Sequence, residues 1–204
     1  MNYFLDTEFI ERMHQSLFGK ARHVIDLISI GIVAEDGREY YAVSSEYNYS
    51  DASDWVKANV IQPLYIDTVH GDMRNMFTVR DFNKTLGKSN MRIMQEVRSF
   101  CLNGQSEDPS FIGYYCDYDW VLFCSLFGTM MELPGRFPKY CIDLKQTLDE
   151  KASWYSDMSI PKLSVKQCLE VMKMRNDYPK QENEHSALAD ARWNKALYEF
   201  LRSF

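Results

Sequence analysis

Hydrophobic and polar positions change their spacing along this chain, and each change marks an element. The opening is β-like: apolar and aromatic residues crowd Asn2 to Leu5, Leu27 to Ala34 (LISIGIVA) and Glu39 to Ser44 (EYYAVS), the composition that suits strands. Asp36-Gly37 separates the second run from the third. Glycine tolerates the positive φ of a tight turn, so these runs predict an antiparallel start with a hairpin. Glu46 to Ser89 is polar and irregular, and within it only Asp51 to Val60 predicts a helix.

Further on, helical spacing takes over. Ser89 predicts an N-cap for a helix to about Leu102, with Ile93, Val97 and Phe100 on one face. Ser110 to Tyr115 predicts a buried strand, and Asp117 to Phe127, apolar on nearly every side, a helix packed centrally and stopped by Leu133-Pro134-Gly135. Lys139 to Leu144 predicts a fifth strand, followed by broken helical pieces around Val165 to Met174. The last helix, roughly Glu184 to Phe204, sets Ala189, Trp193, Ala196 and Phe200 on one stripe. With no repeats, low-complexity tracts or linkers, this order predicts one α/β domain over the whole chain, built on a mixed five- or six-stranded sheet flanked by helices.

Composition narrows the classes of function. A chain of 204 residues, 46% hydrophobic, can bury one sizeable core. Its 23 basic and 29 acidic residues leave a net charge of −6, which excludes a protein that coats long duplexes by neutralising phosphates. An enzyme gripping a few nucleotides fits, because two divalent ions would add back four positive charges. Cys101, Cys116, Cys124, Cys141 and Cys168 are scattered and form no CxxC pair, so neither a disulfide framework nor a zinc site is expected and a reducing cytoplasm is. Asp6, Glu8 and Glu11 interrupt the stretch a signal peptide would need to keep apolar, and no window approaches a membrane span. A soluble chain with no membrane partner is the expectation.

Three acidic elements carry the candidate chemistry. Asp6-Thr7-Glu8 follows Tyr3-Phe4-Leu5. On a strand, side chains two apart share a face, so Asp6 and Glu8 can grip one ion while Thr7 points away. Such a pair at a strand end suits Mg²⁺ or Mn²⁺, hard cations that take oxygen ligands. Asp117 and Asp119 open the central apolar helix, where the unsatisfied N–H groups of a first turn favour carboxylates even without function. Asp119, inside the buried part of that turn, reads as the ligand and Asp117 as the cap. Asp190 points toward or beside the core-facing stripe of the last helix, where an unpaired charge is costly and a metal would answer it; Arg192 is too close in sequence to share its face. His185 lies about 140° around an ideal helix from Asp190, so it is expected on a loop or a frayed first turn. His14, His23 and His70 read as structural.

Together, Asp6 and Glu8, then Asp119 in Tyr118-Asp119, then His185 and Asp190 in an H-x4-D arrangement resemble the three motifs of the DEDDh 3′–5′ exonucleases of the RNase T/DnaQ-like superfamily. Within it, Tyr3 to Glu11 and Ile28 to Ser44 resemble the small mycobacterial-type 3′–5′ exoribonucleases. The resemblance implies a ribonuclease H-like fold and two Mg²⁺ or Mn²⁺ ions, roughly 4 Å apart, held by Asp6, Glu8, Asp119 and Asp190. It also implies His185 as general base, a role suited to a group that titrates near pH 6.5, with Glu8 beside it in the catalytic set. Phe9 and Ile10, just past Glu8, are placed to abut the terminal base, and Thr7 to contact substrate. The implied partner is a nucleic acid with a free 3′ end, RNA before DNA; a homodimer stays open. A DNA-trimming or proofreading exonuclease, or a non-catalytic nucleic-acid-binding module, are the rival readings. Tyr115 stands where many relatives carry a small polar residue.

Overall fold

The computed structural model describes residues 1–15, 19–68 and 78–203; His70 and Phe204 lie outside them. Five strands form one sheet in the order β3-β2-β1-β4-β5: β1 (Asn2–His14), β2 (Arg22–Ala34), β3 (Glu39–Val43), β4 (Ser110–Gly113) and β5 (Ile142–Asp143). β1, β2 and β3 pair antiparallel, and β4 and β5 add on in parallel. The predicted hairpin is present, with Gly37 at φ 90° in the turn between β2 and β3.

β1 runs well past its predicted end at Leu5. Asp6-Thr7-Glu8 therefore sits mid-strand, continuously paired with β2 and followed by a register shift between Glu8 and Phe9 that leaves Ile28 of β2 without a partner. The carboxylate pair nevertheless lies at an edge. β4 pairs with β1 only over Asn2–Phe4, so beyond Phe4 the β1 edge facing β4 is open.

The helices are α1 (Asp54–Val56), α2 (Gln62–Thr68), α3 (Phe82–Leu86), α4 (Asn90–Leu102), α5 (Asp117–Leu126), α6 (Leu144–Met158), α7 (Val165–Lys173) and α8 (Ala187–Arg202). One sheet face packs Tyr3, Leu5, Ile30 and Ile32 against Ile93 and Val97 of α4 and Leu122 and Phe123 of α5. The other packs Phe4 and Val33 against α6, α7 and α8. Period-2 alternation along β1 thus feeds two cores, and fixes that Asp6 and Glu8, in phase with Phe4, look toward α8. A mixed five-stranded sheet with helices on both faces is the ribonuclease H-like architecture that the sequence resemblance implies. No helix among the described residues is long and apolar enough to cross a membrane.

Four expectations change. The stretch 46–89 is not mere loop: Tyr47, Ala52, Val60 and Ile61 bury with Ile10 and Ile28 as a third cluster, and α1 leads through a π turn, Lys57–Ile61, into α2. α6 was missed although Leu144, Leu148, Ala152 and Ser156 recur at the spacing of one helical face. β4 stops at Gly113, because Tyr115 takes φ 53° and leaves the extended region. On α8 the buried stripe runs through Ala187, Asp190, Ala191, Asn194, Leu197 and Leu201, with Ala189 and Ala196 only flanking it.

Candidate active site

Where β1 and β4 part, backbone groups of β1 lose their ladder partners, and side chains replace them. The Leu5 carbonyl accepts from Asn194 Nδ2 at 3.0 Å. The Thr7 N–H donates to Asp119 Oδ1 at 2.8 Å, and the Thr7 hydroxyl donates to the same oxygen at 2.6 Å. Buried backbone groups must be paired, so this fork draws the N-terminal turn of α5 and the middle of α8 onto β1. Forks at the C-terminal ends of parallel strands are where open α/β sheets place their ligands.

On the α8 side, Asp6, Glu8 and Asp190 bring carboxylate oxygens within 4.8 Å of one another. Gly31 of β2 makes this approach feasible: a Cβ there would collide with the Ala187 carbonyl at the start of α8. Asp190 Oδ2 accepts the His185 backbone N–H at 3.0 Å, and Oδ1 accepts Gln181 Nε2 at 2.6 Å. Arg192 instead grips Glu39 through two bonds of 2.7 and 2.6 Å. No Lys or Arg among the described residues pairs with any of the four carboxylates.

That lack of cations shows in the acidities. Burial, then Asp119, Glu8 and Asp190, hold the Asp6 carboxyl well above the ordinary range. Burial, then Asp190 and Asp119, push Glu8 up to about 8. Asp119 rises to about 6 through burial, against the two Thr7 bonds that pull it down, and burial raises Asp190 against the pull of Gln181 and His185. Like charges gathered without water or a counter-ion favour protonation. A divalent cation removes that penalty, and an all-carboxylate donor set without thiolate or imidazole suits Mg²⁺ or Mn²⁺. The cluster can hold a metal ion.

The residues singled out by sequence divide as follows. Asp6, Glu8 and Asp190 come together; Asp119, 7% exposed, stands behind them with Oδ1 turned to Thr7. Cys116, not Asp117, is the N-cap of α5, and Asp117 is an exposed first-turn residue. His185 lies in the loop before α8 at φ 69°, exposed, as its angular offset required. Thr7 does point away from Asp6 and Glu8, but it is buried and its donors are spent on Asp119, so the structure gives it a positioning role in place of a substrate contact. Ile10, 1% exposed, packs in the core with Ile28 and Val60, which leaves its side chain little to offer a base. Phe9 is partly buried, with Tyr118 edge-on at 5.6 Å. His23 pairs with Glu11 at 2.7 Å, the structural role expected of it.

Sequence reading missed Asn194, Gln181 and Trp55. Asn194 follows Asp190 by four, one helical turn, and a polar residue on a buried stripe was its signal. Gln181 had none. Trp55 lies within the stretch set aside as loop, and its ring meets His185 edge-on at 4.9 Å.

Sheet order, fork and carboxylate cluster define a ribonuclease H-like protein with an acidic metal-binding site. The model of the 3′–5′ exoribonuclease Rv2179c-like domain matches residues 1–201, and the chain belongs to that family. It is 31% identical over 192 residues to the 3′–5′ exoribonuclease Rv2179c of Mycobacterium tuberculosis strain H37Rv, covering 94% of this chain and 88% of the relative. The 3′–5′ exoribonuclease MT2234.1 of strain CDC 1551 matches with the same identity and coverage.

Proposed function

We propose that this chain, acting as one domain, is a 3′–5′ exoribonuclease that hydrolyses the terminal phosphodiester of RNA and releases 5′-mononucleotides. The observation that carries the reading is the uncompensated cluster of Asp6, Glu8 and Asp190, backed by Asp119 and flanked by an exposed histidine whose own backbone N–H grips Asp190. Asp6, Glu8, Asp119 and Asp190 would hold two Mg²⁺ or Mn²⁺ ions, which supply Lewis-acid polarisation of the phosphodiester and neutralise its charge.

The chain's own residues do the rest. His185 accepts the proton of the attacking water through its ring, while its N–H fixes one oxygen of Asp190, so base and ligand move together. Thr7 pins Asp119 through backbone and hydroxyl, which ties α5 to the strand carrying Asp6 and Glu8. Asn194 clamps Leu5 and so sets the height of α8 over β1. RNA as the substrate class follows the printed activity of the relatives; a 2′-hydroxyl contact would carry the choice over DNA.

The test is a 5′-labelled RNA and its DNA counterpart, each with a 3′-hydroxyl or a 3′-phosphate, incubated with EDTA, Mg²⁺ or Mn²⁺. Stepwise shortening of the 3′-hydroxyl RNA in Mg²⁺ or Mn²⁺ alone, faster than of DNA, is expected. Cleavage of circular RNA, or activity undiminished by EDTA, overturns the reading, and faster DNA shortening turns it into a DNA exonuclease.

A further inference from the structure

Trp55 is half out in solvent, 54% exposed, and belongs to none of the hydrophobic clusters among the described residues, although its neighbour Val56 packs against one. A tryptophan leaves that much indole in water at some cost in burial. Its backbone is held firmly. Ser53 caps α1 by accepting the Val56 N–H at 3.2 Å, and the Trp55 carbonyl accepts from Asn59 Nδ2 at 2.9 Å. The indole is thus presented, not loosely attached. It stands beside a cavity of about 290 Å³ whose walls include Glu8, Phe9, Trp55 and Val56, and its ring meets the exposed His185. One wall of that cavity is therefore a cluster carboxylate, and another is an exposed aromatic plane touching the histidine that flanks the same cluster.

We infer that Trp55 is the stacking platform for the 3′-terminal base, seating that nucleotide in the cavity beside Glu8; this rests on the proposed exonuclease function. A flat, exposed, backbone-anchored indole within one nucleotide's reach of a phosphodiester site recovers its lost burial when a base covers it, and does so with any base, since each has a π face. Phe9, partly buried and engaged by Tyr118, supplies the opposite apolar wall. A ring that merely steadied His185 would need only its edge contact, and would affect every substrate alike.

The experiment uses the full chain in Mn²⁺ with two 5′-labelled RNAs that are identical except that one carries an abasic 3′-terminal nucleotide. The wild-type protein should favour the normal end in kcat/KM by about 5- to 150-fold, the range expected for one base–aromatic stack. Trp55→Ala should bring that ratio close to one, and Trp55→Phe should retain most of it. In parallel, adenosine 5′-monophosphate should quench the indole fluorescence of the wild type, and the quench should vanish in Trp55→Phe, whose other tryptophans remain. A ratio near one in the wild type, or a ratio unchanged in Trp55→Ala with both substrates slowed equally, overturns the platform while leaving the nuclease reading intact. If the wild type cleaves no RNA, the proposed function falls, and the quench alone decides the platform: loss in Trp55→Phe supports it and persistence overturns it.

Discussion

Glu8→Gln should make the metal-free protein more stable and the metal-loaded protein less so. The substitution removes one negative charge from the cluster and preserves its shape. In the wild type, burial, then Asp190 and Asp119, push the Glu8 carboxyl up to about 8 from its ordinary 4.5. The folded chain then holds a proton that the unfolded chain releases. Stability is accordingly greatest below the unfolded-state value and declines as pH climbs from there toward the folded one. At pH 7 the decline integrates to about 3 kcal/mol, an upper bound because Glu8 is only partly buried and salt screens its neighbours. In a domain of this size that corresponds to roughly 5–10 °C in Tm. Thermal unfolding in EDTA should show the wild type losing stability between pH 5 and 7.5 more steeply than Glu8→Gln, which ends higher. Adding Mn²⁺ should reverse the order, since binding to the native state alone stabilises by mass action and the variant has lost a ligand. Parallel pH profiles in EDTA would refute the claim that charge crowding at Glu8 costs folding energy.

Three further outcomes follow from the geometry. Thr7→Val removes the hydroxyl donor to buried Asp119, a bond to a charged acceptor that contributes about 1.5–3 kcal/mol; stability and kcat should fall in Thr7→Val and persist in Thr7→Ser, and equal behaviour of the two variants would remove Thr7 from the site's support. Gly31→Ala forces a methyl into the Ala187 carbonyl, an overpacking worth about 1–3 kcal/mol; Mn²⁺ affinity by calorimetry should weaken as Asp190 shifts, and an unchanged affinity would show that α8 has slack there. His185→Asn keeps a residue type that tolerates the φ of 69° and should slow hydrolysis by about 10²–10⁴-fold with Mn²⁺ binding preserved, while the rise in rate through the imidazole range disappears; an unaltered pH–rate profile would exclude His185 as the base.

Much of this arrangement was legible in the chain. The hairpin at Gly37, the helix capped by Ser89, and the central helix bearing Asp119 each follow from a local signal of turn, cap or periodicity. The carboxylates stood out because Asp6 and Glu8 share a strand face and Asp190 falls on a buried helical stripe, both facts of spacing. What stayed hidden depends on contacts distant in sequence. The end of β1 could not be seen, since Phe9 to His14 is polar enough to read as a turn and is held extended by its ladder with β2. The third apolar cluster was hidden because its members are scattered between polar residues and gain a core only by covering Ile10 and Ile28. Trp55 and Gln181 acquire meaning only once the loop before α8 is folded over them.

The length of β4 links the fold to the chemistry. Had β4 continued extended beyond Gly113 alongside β1, its backbone would have claimed the Thr7 N–H and the Leu5 carbonyl as ladder partners. Asp119 would then lack its anchor at 2.8 Å, and Asn194 would lack the carbonyl that draws α8 onto the sheet. Instead the strand ends, Tyr115 turns through φ 53° with its N–H donated to Asp143 Oδ1 at 3.2 Å, and α5 begins within reach of β1. The early stop frees the two backbone groups that the site uses as fasteners. The same need to pair buried backbone that organises the sheet therefore also holds Asp119 behind Asp6 and Glu8 and Asp190 beside them, which is why carboxylates more than a hundred residues apart can share one small volume despite their mutual repulsion.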